Sequence, residues 1–131
     1  MIGIDTSIRL RLWLNDDPAQ TRRIDALLAA HGRTPGPLRV KDRVLAEAVC
    51  TLQPAFDQHK AAQRMAVRSL LDETAFGFED REALIQAAGM IERGSCGFSD
   101  GLIVAKHARM VCAFTATFDR VMRKLPGAKG L

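Results

Sequence analysis

Glu47 interrupts an otherwise apolar run, Val44-Leu45-Ala46-Glu47-Ala48-Val49, so its carboxylate faces either solvent or a functional cleft. Asp100 follows Phe98-Ser99 at a helix start and precedes the apolar Gly101-Leu102-Ile103-Val104-Ala105. Asp5 ends the apolar run Ile2-Gly3-Ile4, and Asp119 follows Thr117-Phe118 shortly after a second apolar run. Taken singly, these acids have ordinary explanations. Asp100 suits a helix N-terminus, where the macrodipole stabilises negative charge; Glu47 suits the solvent side of an amphipathic helix; Asp119 suits a turn or helix cap. Brought together they would repel, and one or more would take up a proton unless a cation shared them. Mg²⁺ needs hard oxygen ligands and keeps several waters, so a few carboxylates suit it. His31, His59 and His107 have no Ser or Cys arranged to act with them, and read as ordinary surface or core residues.

The elements that would position these acids alternate between strand and helix. Ile2-Gly3-Ile4 reads as a buried strand ending at Asp5. From 8 to 14, Ile8, Leu10, Leu12 and Leu14 alternate with Arg9, Arg11 and Trp13, a strand period, although Ile8 and Leu12 also stand one helical turn apart; periodicity leaves this segment open. Asp16 or Asp17 before Pro18 starts a helix carrying Ile24, Leu27 and Leu28 and stopping near Gly32. Pro37 to Val40 reads as a short strand. Asp42 caps a helix with Val44, Leu45, Ala48, Val49 and Leu52, which Pro54 ends or kinks. A helix from 59 to 71, a strand from 75 to 78, a helix capped by Asp80 and running to Gly94, and a helix capped by Ser99 follow. Residues 111–115 read as a buried strand, with a short basic helix after Asp119. Strands separated by helices of this length indicate βαβ units and a parallel sheet covered on both faces. In such sheets ligands bind at the carboxyl ends of the strands, where Asp5 and Asp119 both fall.

At 131 residues the chain has room for one ordinary core and reads as a single domain over 1–131. Apolar residues at 47% and charged residues at 26% are the balance of a globular protein rather than a disordered one. Cys50, Cys96 and Cys112 are odd in number and widely spaced, which argues against a disulfide framework and for buried reduced thiols. Met1 leads straight into apolar residues without a basic leader, and no apolar stretch approaches a membrane span; the expectation is a cytoplasmic protein with no membrane segment. The net charge is +4. From Gly101 onward Lys106, Arg109, Arg120, Arg123, Lys124 and Lys129 accompany a single acid, Asp119, a balance that suits either a phosphate-bearing substrate or a solvated helix face.

Four strings stand in order along the chain: Ile2-Gly3-Ile4-Asp5-Thr6-Ser7, Val44-Leu45-Ala46-Glu47-Ala48-Val49, Gly97-Phe98-Ser99-Asp100-Gly101-Leu102-Ile103, and Thr115-Ala116-Thr117-Phe118-Asp119-Arg120. In content and spacing this ordered set resembles the PIN-domain family, and within it the VapC-type toxins of bacterial toxin–antitoxin pairs. The resemblance runs over essentially the whole chain, to Leu125-Pro126-Gly127-Ala128, and rests on the set rather than on any one motif. It implies an α/β fold of three layers with a mainly parallel central sheet flanked by helices, in which the segment after Asp5 is a helix. It further implies that Asp5, Glu47, Asp100 and Asp119 converge in a pocket binding Mg²⁺ or Mn²⁺. Thr6 and Thr117 fall where the family places hydroxyls that support the acids. Ser7 stands where such toxins often carry Asn, and Cys50 and Pro54 depart from the aromatic residue and uninterrupted helix usual after Glu47.

A metal so held lowers the pKa of a bound water for attack on phosphorus and neutralises charge on the phosphate. The resemblance therefore implies an endoribonuclease that limits translation, acting on a structured or exposed RNA such as transfer RNA, with Lys106, Arg109, Arg120 and Arg123 as the expected RNA-binding cations. It also implies a homodimer silenced by a cognate VapB-type antitoxin, for which a groove near Trp13, between the first helix and the helix over 17–30, is the expected seat. The alternative within the family is a catalytically silent RNA-binding or regulatory PIN domain; loss of one acid would favour it, and all four are present. A receiver-like phosphoacceptor domain would need an acidic pair at the first strand end, where only Asp5 stands.

Overall fold

The computed structural model describes residues 1–52, 60–93 and 96–131; the roles expected of Pro54, His59 and Gly94 lie outside them. The chain is α/β, with six α-helices among the described residues and two short parallel sheets. It divides into two compact units, Met1–Leu52 with Asp72–Glu79, and Gln53–Leu71 with Asp80–Leu131. No helix among the described residues is long and apolar enough to cross a membrane.

The first unit is built on three parallel strands in the order β1 (Ile2–Gly3), β2 (Leu38–Val40), β3 (Phe76–Phe78). Leu38 pairs with Phe76 and Val40 with Phe78, and all four are buried, so one face of the ribbon is apolar. Arg39 between them is exposed, so this short parallel strand alternates rather than reading as a continuous buried run. The turn before β2 depends on Gly36, whose φ of +60° places it in the left-handed region and whose Cβ position lies 3.1 Å from Gly77 Cα; a side chain there would meet backbone.

After β1 the chain enters helix α1 (Thr6–Leu14). The period-2 alternation from 8 to 14 is therefore overridden, and a cap is the local reason: Asp5 is extended and its side chain accepts from the Ile8 amide, which commits the next turn to helix. Asn15 closes α1 in the left-handed conformation that Asn tolerates. The buried residue of α1 is not one of its leucines but Arg9, with no solvent exposure. Its guanidinium lies 4.1 Å from the Trp13 ring centroid and 4.7 Å from that of Phe76, and one nitrogen reaches Glu73 at 3.5 Å. Nε and Nη1 of Arg9, and Nε1 of Trp13, are buried with no hydrogen-bond partner among the described residues. Burial brings the Arg9 pKa down to about 10, with Glu73 acting the other way. Helix α2 (Pro18–His31) is capped by Asp17, whose side chain accepts from Gln20 N, and buries Ile24. Helix α3 (Asp42–Leu52) buries Leu45, Ala48, Val49 and Leu52.

The second unit contains α4 (Lys60–Asp72, its last residue belonging to the first unit), α5 (Arg81–Glu92) and α6 (Phe98–Arg109). Asp80 caps α5, accepting from Ala83 N at 3.1 Å. Gly101 lets α6 approach α5 closely, since a Cβ there would stand 3.4 Å from Ala87 Cα. Ser99 does not cap α6. The cap position is Gly97, extended and without a side-chain bond, and Ser99 is already the second helical residue.

Residues 111–114 are not a strand either. They leave α6 through a tight C-terminal turn in which Val111 N–H donates to Ala108 O and Cys112 N–H to His107 O, each at 3.0 Å. Val111 takes a φ of +62° and is 90% exposed. This is the Schellman pattern, with a β-branched residue where glycine is usual. Its two bonds satisfy carbonyls at the end of α6, which is why the apolar run turns instead of extending. The strand β4 begins only at Thr115 (Thr115–Thr117) and pairs in parallel with β5 (Ala128–Gly130), an element the sequence reading did not anticipate. A 3₁₀ turn, Met122–Lys124, lies between them. None of the three cysteines is in a disulfide; Cys96 is buried, but Cys50 and Cys112 are exposed, contrary to the expectation that all three are buried.

Candidate active site

In the first unit two of the expected acids meet the N-terminus of α1. Asp5 Oδ1 accepts from Ser7 Oγ at 2.7 Å and from Ile8 N at 3.2 Å. Those bonds, the Ser7 hydroxyl foremost, hold its pKa below the ordinary carboxylate value. Glu47, exposed on α3, receives Thr6 Oγ1 on Oε2 and Arg43 Nε on Oε1, both at 2.8 Å. Arg43 first and Thr6 second lower its pKa. The consecutive hydroxyls of Thr6 and Ser7 thus each hold one acid, so Asp5 and Glu47 gather at a helix N-terminus, where backbone amides favour negative charge. Ser7 thus makes a direct bond to Asp5.

In the second unit Asp100 lies in the first turn of α6, and Asp119 follows β4. Asp119 Oδ1 accepts from Val121 N and Met122 N, each at 2.7 Å, and its own amide donates to Thr117 Oγ1 at 3.0 Å. The two amides lower its pKa. Asp119 therefore does serve as a turn cap, with one oxygen so engaged and the other without a partner among the described residues. Asp100 is half-buried and accepts no hydrogen bond among the described residues. Its pKa is raised, first by burial and then by the negative charge of Asp119. The second unit thus brings these two carboxylates close enough to repel.

The expected RNA-binding cations divide into two kinds. Arg109 Nε donates to Asp80 Oδ2 at 2.7 Å and Lys106 Nζ stands 3.9 Å from the same oxygen, so both are tied to the acid that caps α5; Arg109 foremost keeps the Asp80 pKa low. Arg120 and Arg123 are exposed and face no carboxylate among the described residues. The Arg123 stem lies over Gly130, where an added Cβ would come within 2.9 Å of its Cδ. His107 Nδ1 pairs with Thr115 Oγ1 at 2.9 Å, a structural contact. A cavity of 390 Å³ opens between α1 and α2, lined by Ser7, Ile8, Arg11, Gln20, Arg23, Ile24 and Leu27. It is the groove expected between these helices, but Trp13 is not part of its lining.

Sequence reasoning passed over three features: the buried Arg9, the Asp80 clamp, and the exposure of Phe114 and Phe118. The clamp had a signal, an acid at a helix cap. The other two had none, because charge implies exposure and aromatic rings imply burial.

Any divalent ion here would meet hard oxygen donors. One oxygen each of Asp5 and Asp119 and both of Asp100 lack hydrogen-bond partners among the described residues, which fits Mg²⁺ or Mn²⁺. Among the described residues no group of three or more His, Cys, Asp or Glu side chains forms a ready-made metal site. Comparison of the chain with family models, with curated proteins and with solved structures finds no match.

Proposed function

We propose that this chain is a divalent-metal-dependent endoribonuclease of the VapC-like PIN type, of three layers about a mainly parallel sheet, with Asp5, Glu47, Asp100 and Asp119 as metal ligands. The observation that carries the reading is the pair Asp100 and Asp119. A half-buried carboxylate with no hydrogen-bond donor, set beside a second carboxylate, costs stability that a shared cation would offset. Bound there, Mg²⁺ or Mn²⁺ supplies an activated water and neutralises charge on the phosphoryl group. The chain's own residues do the rest. Ser7 and Thr6 orient Asp5 and Glu47, the Val121 and Met122 amides keep Asp119 ionised, and Arg120 and Arg123 hold RNA phosphates. The partners in this reading are RNA, transfer RNA included, a second copy of the chain, and a cognate antitoxin seated in the groove between α1 and α2.

RNA cleavage under Mg²⁺ titration tests the proposal. Chelation with EDTA, Asp5→Asn and Asp100→Asn should each abolish cleavage while leaving the far-UV circular dichroism spectrum unchanged. Full activity of either variant would sink it. Glu47, with both oxygens engaged, favours a second reading, a silent RNA-binding PIN domain; binding without cleavage at any Mg²⁺ or Mn²⁺ concentration would select that one.

A further inference from the structure

We propose that the exposed side of the β4–β5 ribbon is a stacking platform for unpaired nucleobases, centred on Phe118. Along β4 exposure alternates: Thr115 is buried, Ala116 exposed and Thr117 half-buried. The flanking Phe114 and Phe118 are 46% and 84% exposed. Successive strand residues point to opposite sides, so Ala116 lies on the open one, and the contact with Lys129 described next puts the Phe114 ring there too; Phe118 follows directly after the strand. Lys129 lies opposite Ala116 in register, and its ammonium stands 4.9 Å from the centroid of the Phe114 ring. A cation thus stands over one exposed ring on the open side of the ribbon, and a second, more exposed ring, Phe118, follows β4 directly.

A phenyl ring has no hydrogen-bonding group, so an exposed one can gain only by stacking or by apolar contact. The surrounding charge decides between these. Arg120, Arg123, Lys124 and Lys129 accompany the rings, with Asp119 as the lone acid from 110 onward. Aromatic faces interleaved with cations match a single strand, whose bases offer π-faces and whose backbone offers phosphates. A duplex hides its base faces within the stack and would meet only the cations. Phe118 directly precedes Asp119, so a base stacked on it delivers a neighbouring phosphate to the acid. That last step rests on the nuclease reading, whereas the platform itself does not.

Anisotropy of a fluorescent single-stranded RNA oligonucleotide, measured in EDTA so that no cleavage occurs, tests the platform. Phe118→Ala should weaken binding about tenfold or more, the scale of one lost base stack. Phe118→Trp should keep or improve it. Phe118→Leu should behave like Ala, since it is apolar without being aromatic. The salt slope should stay the same in these variants and fall by about one in Lys129→Gln. The same oligonucleotide annealed to its complement should bind without sensitivity to Phe118. Thermal melts should be unchanged by the Phe118 substitutions. The proposal is overturned if the parent does not bind the single strand, or if Phe118→Ala or Phe118→Leu binds as the parent does. It is also overturned if Phe118→Ala changes the sedimentation of the free protein while RNA binding stays intact, since the face would then belong to a protein contact. Binding that depends on Phe118 without cleavage in any divalent metal would leave the platform standing and remove the nuclease. Cleavage indifferent to Phe118 would do the reverse.

Discussion

Asp100 is the residue whose charge works against the fold. Its folded pKa is raised by burial and by Asp119, so ionisation on the way to neutral pH costs stability, and the cost disappears as pH falls through the raised folded value. Asp100→Asn should therefore melt higher than the parent in EDTA at neutral pH, with the gap narrowing as the buffer is acidified into and below the carboxylate range; a constant gap would remove electrostatics as the cause. Asp119 has the opposite sign. Its amide bonds lower its folded pKa, so the stability they contribute is present above the unfolded value and lost as pH falls through the folded one. At Arg9 the prediction concerns packing. Arg9→Met fills the space between Trp13 and Phe76 and removes the unpartnered guanidinium nitrogens, so its thermal midpoint should equal or exceed the parent's. Arg9→Ala opens a cavity there and should cost about 2–4 kcal/mol in denaturant titrations. Nothing in the sequence announces this site, because an arginine between Ile8 and Leu10 reads as the solvent side of either a strand or a helix.

Helix starts are legible where an Asp caps them, though Asp42 and Ser99, also expected to cap, lie inside α3 and α6. Asp5, Asp17 and Asp80 each accept from an amide three residues on, and a contact that local needs no knowledge of the rest of the chain. The end of α6 and the strand β5 are less legible. Whether an apolar run such as 111–115 extends or turns depends on which carbonyls the preceding helix leaves unpaired, and the three residues of β5 are strand only because β4 lies beside them. Two predictions belong to this scale. Val111→Gly removes a β-branched side chain from the left-handed region without losing packing, since Val111 is 90% exposed. It should stabilise the protein by about 1 kcal/mol, read as a higher urea midpoint with unchanged slope. At the other helix, Asn caps nearly as well as Asp, so Asp5→Asn should leave the thermal midpoint near the parent's, while Asp5→Ala should lower stability by about 1 kcal/mol. If both are equally destabilising, the cap at α1 is not what holds that turn in helix.

Across the whole chain, the four acids are legible as an ordered set, while their pairing, Asp5 with Glu47 through Thr6 and Ser7 and Asp100 with Asp119, is seen only in the structure. Thr6 and Ser7 donate to the Glu47 and Asp5 carboxylates, whereas the Thr117 hydroxyl accepts from the Asp119 amide and not from its side chain; the Ser7 and Thr117 contacts are local in sequence, and Thr6 sits on the helix that Asp5 caps. Lys106 and Arg109 were expected to face RNA and instead hold Asp80, a partner more than twenty residues away that charge counting alone does not find. The division into units carries a further consequence for synthesis. The first unit is interrupted: its third strand comes from the segment Asp72–Glu79, and residues 53–71, which belong to the other unit, are made in between. A nascent chain ending at Leu52 carries β1 and β2 but neither the strand that pairs with Leu38 and Val40 nor the Phe76 ring and Glu73 carboxylate that accompany Arg9. It presents an unpaired parallel edge, the kind of surface on which chains associate wrongly. The ribosome must therefore deliver residue 78 before the strands begun at residue 2 can close, and released chains truncated before that residue should be protease-sensitive over 1–52, with protection appearing once β3 is included.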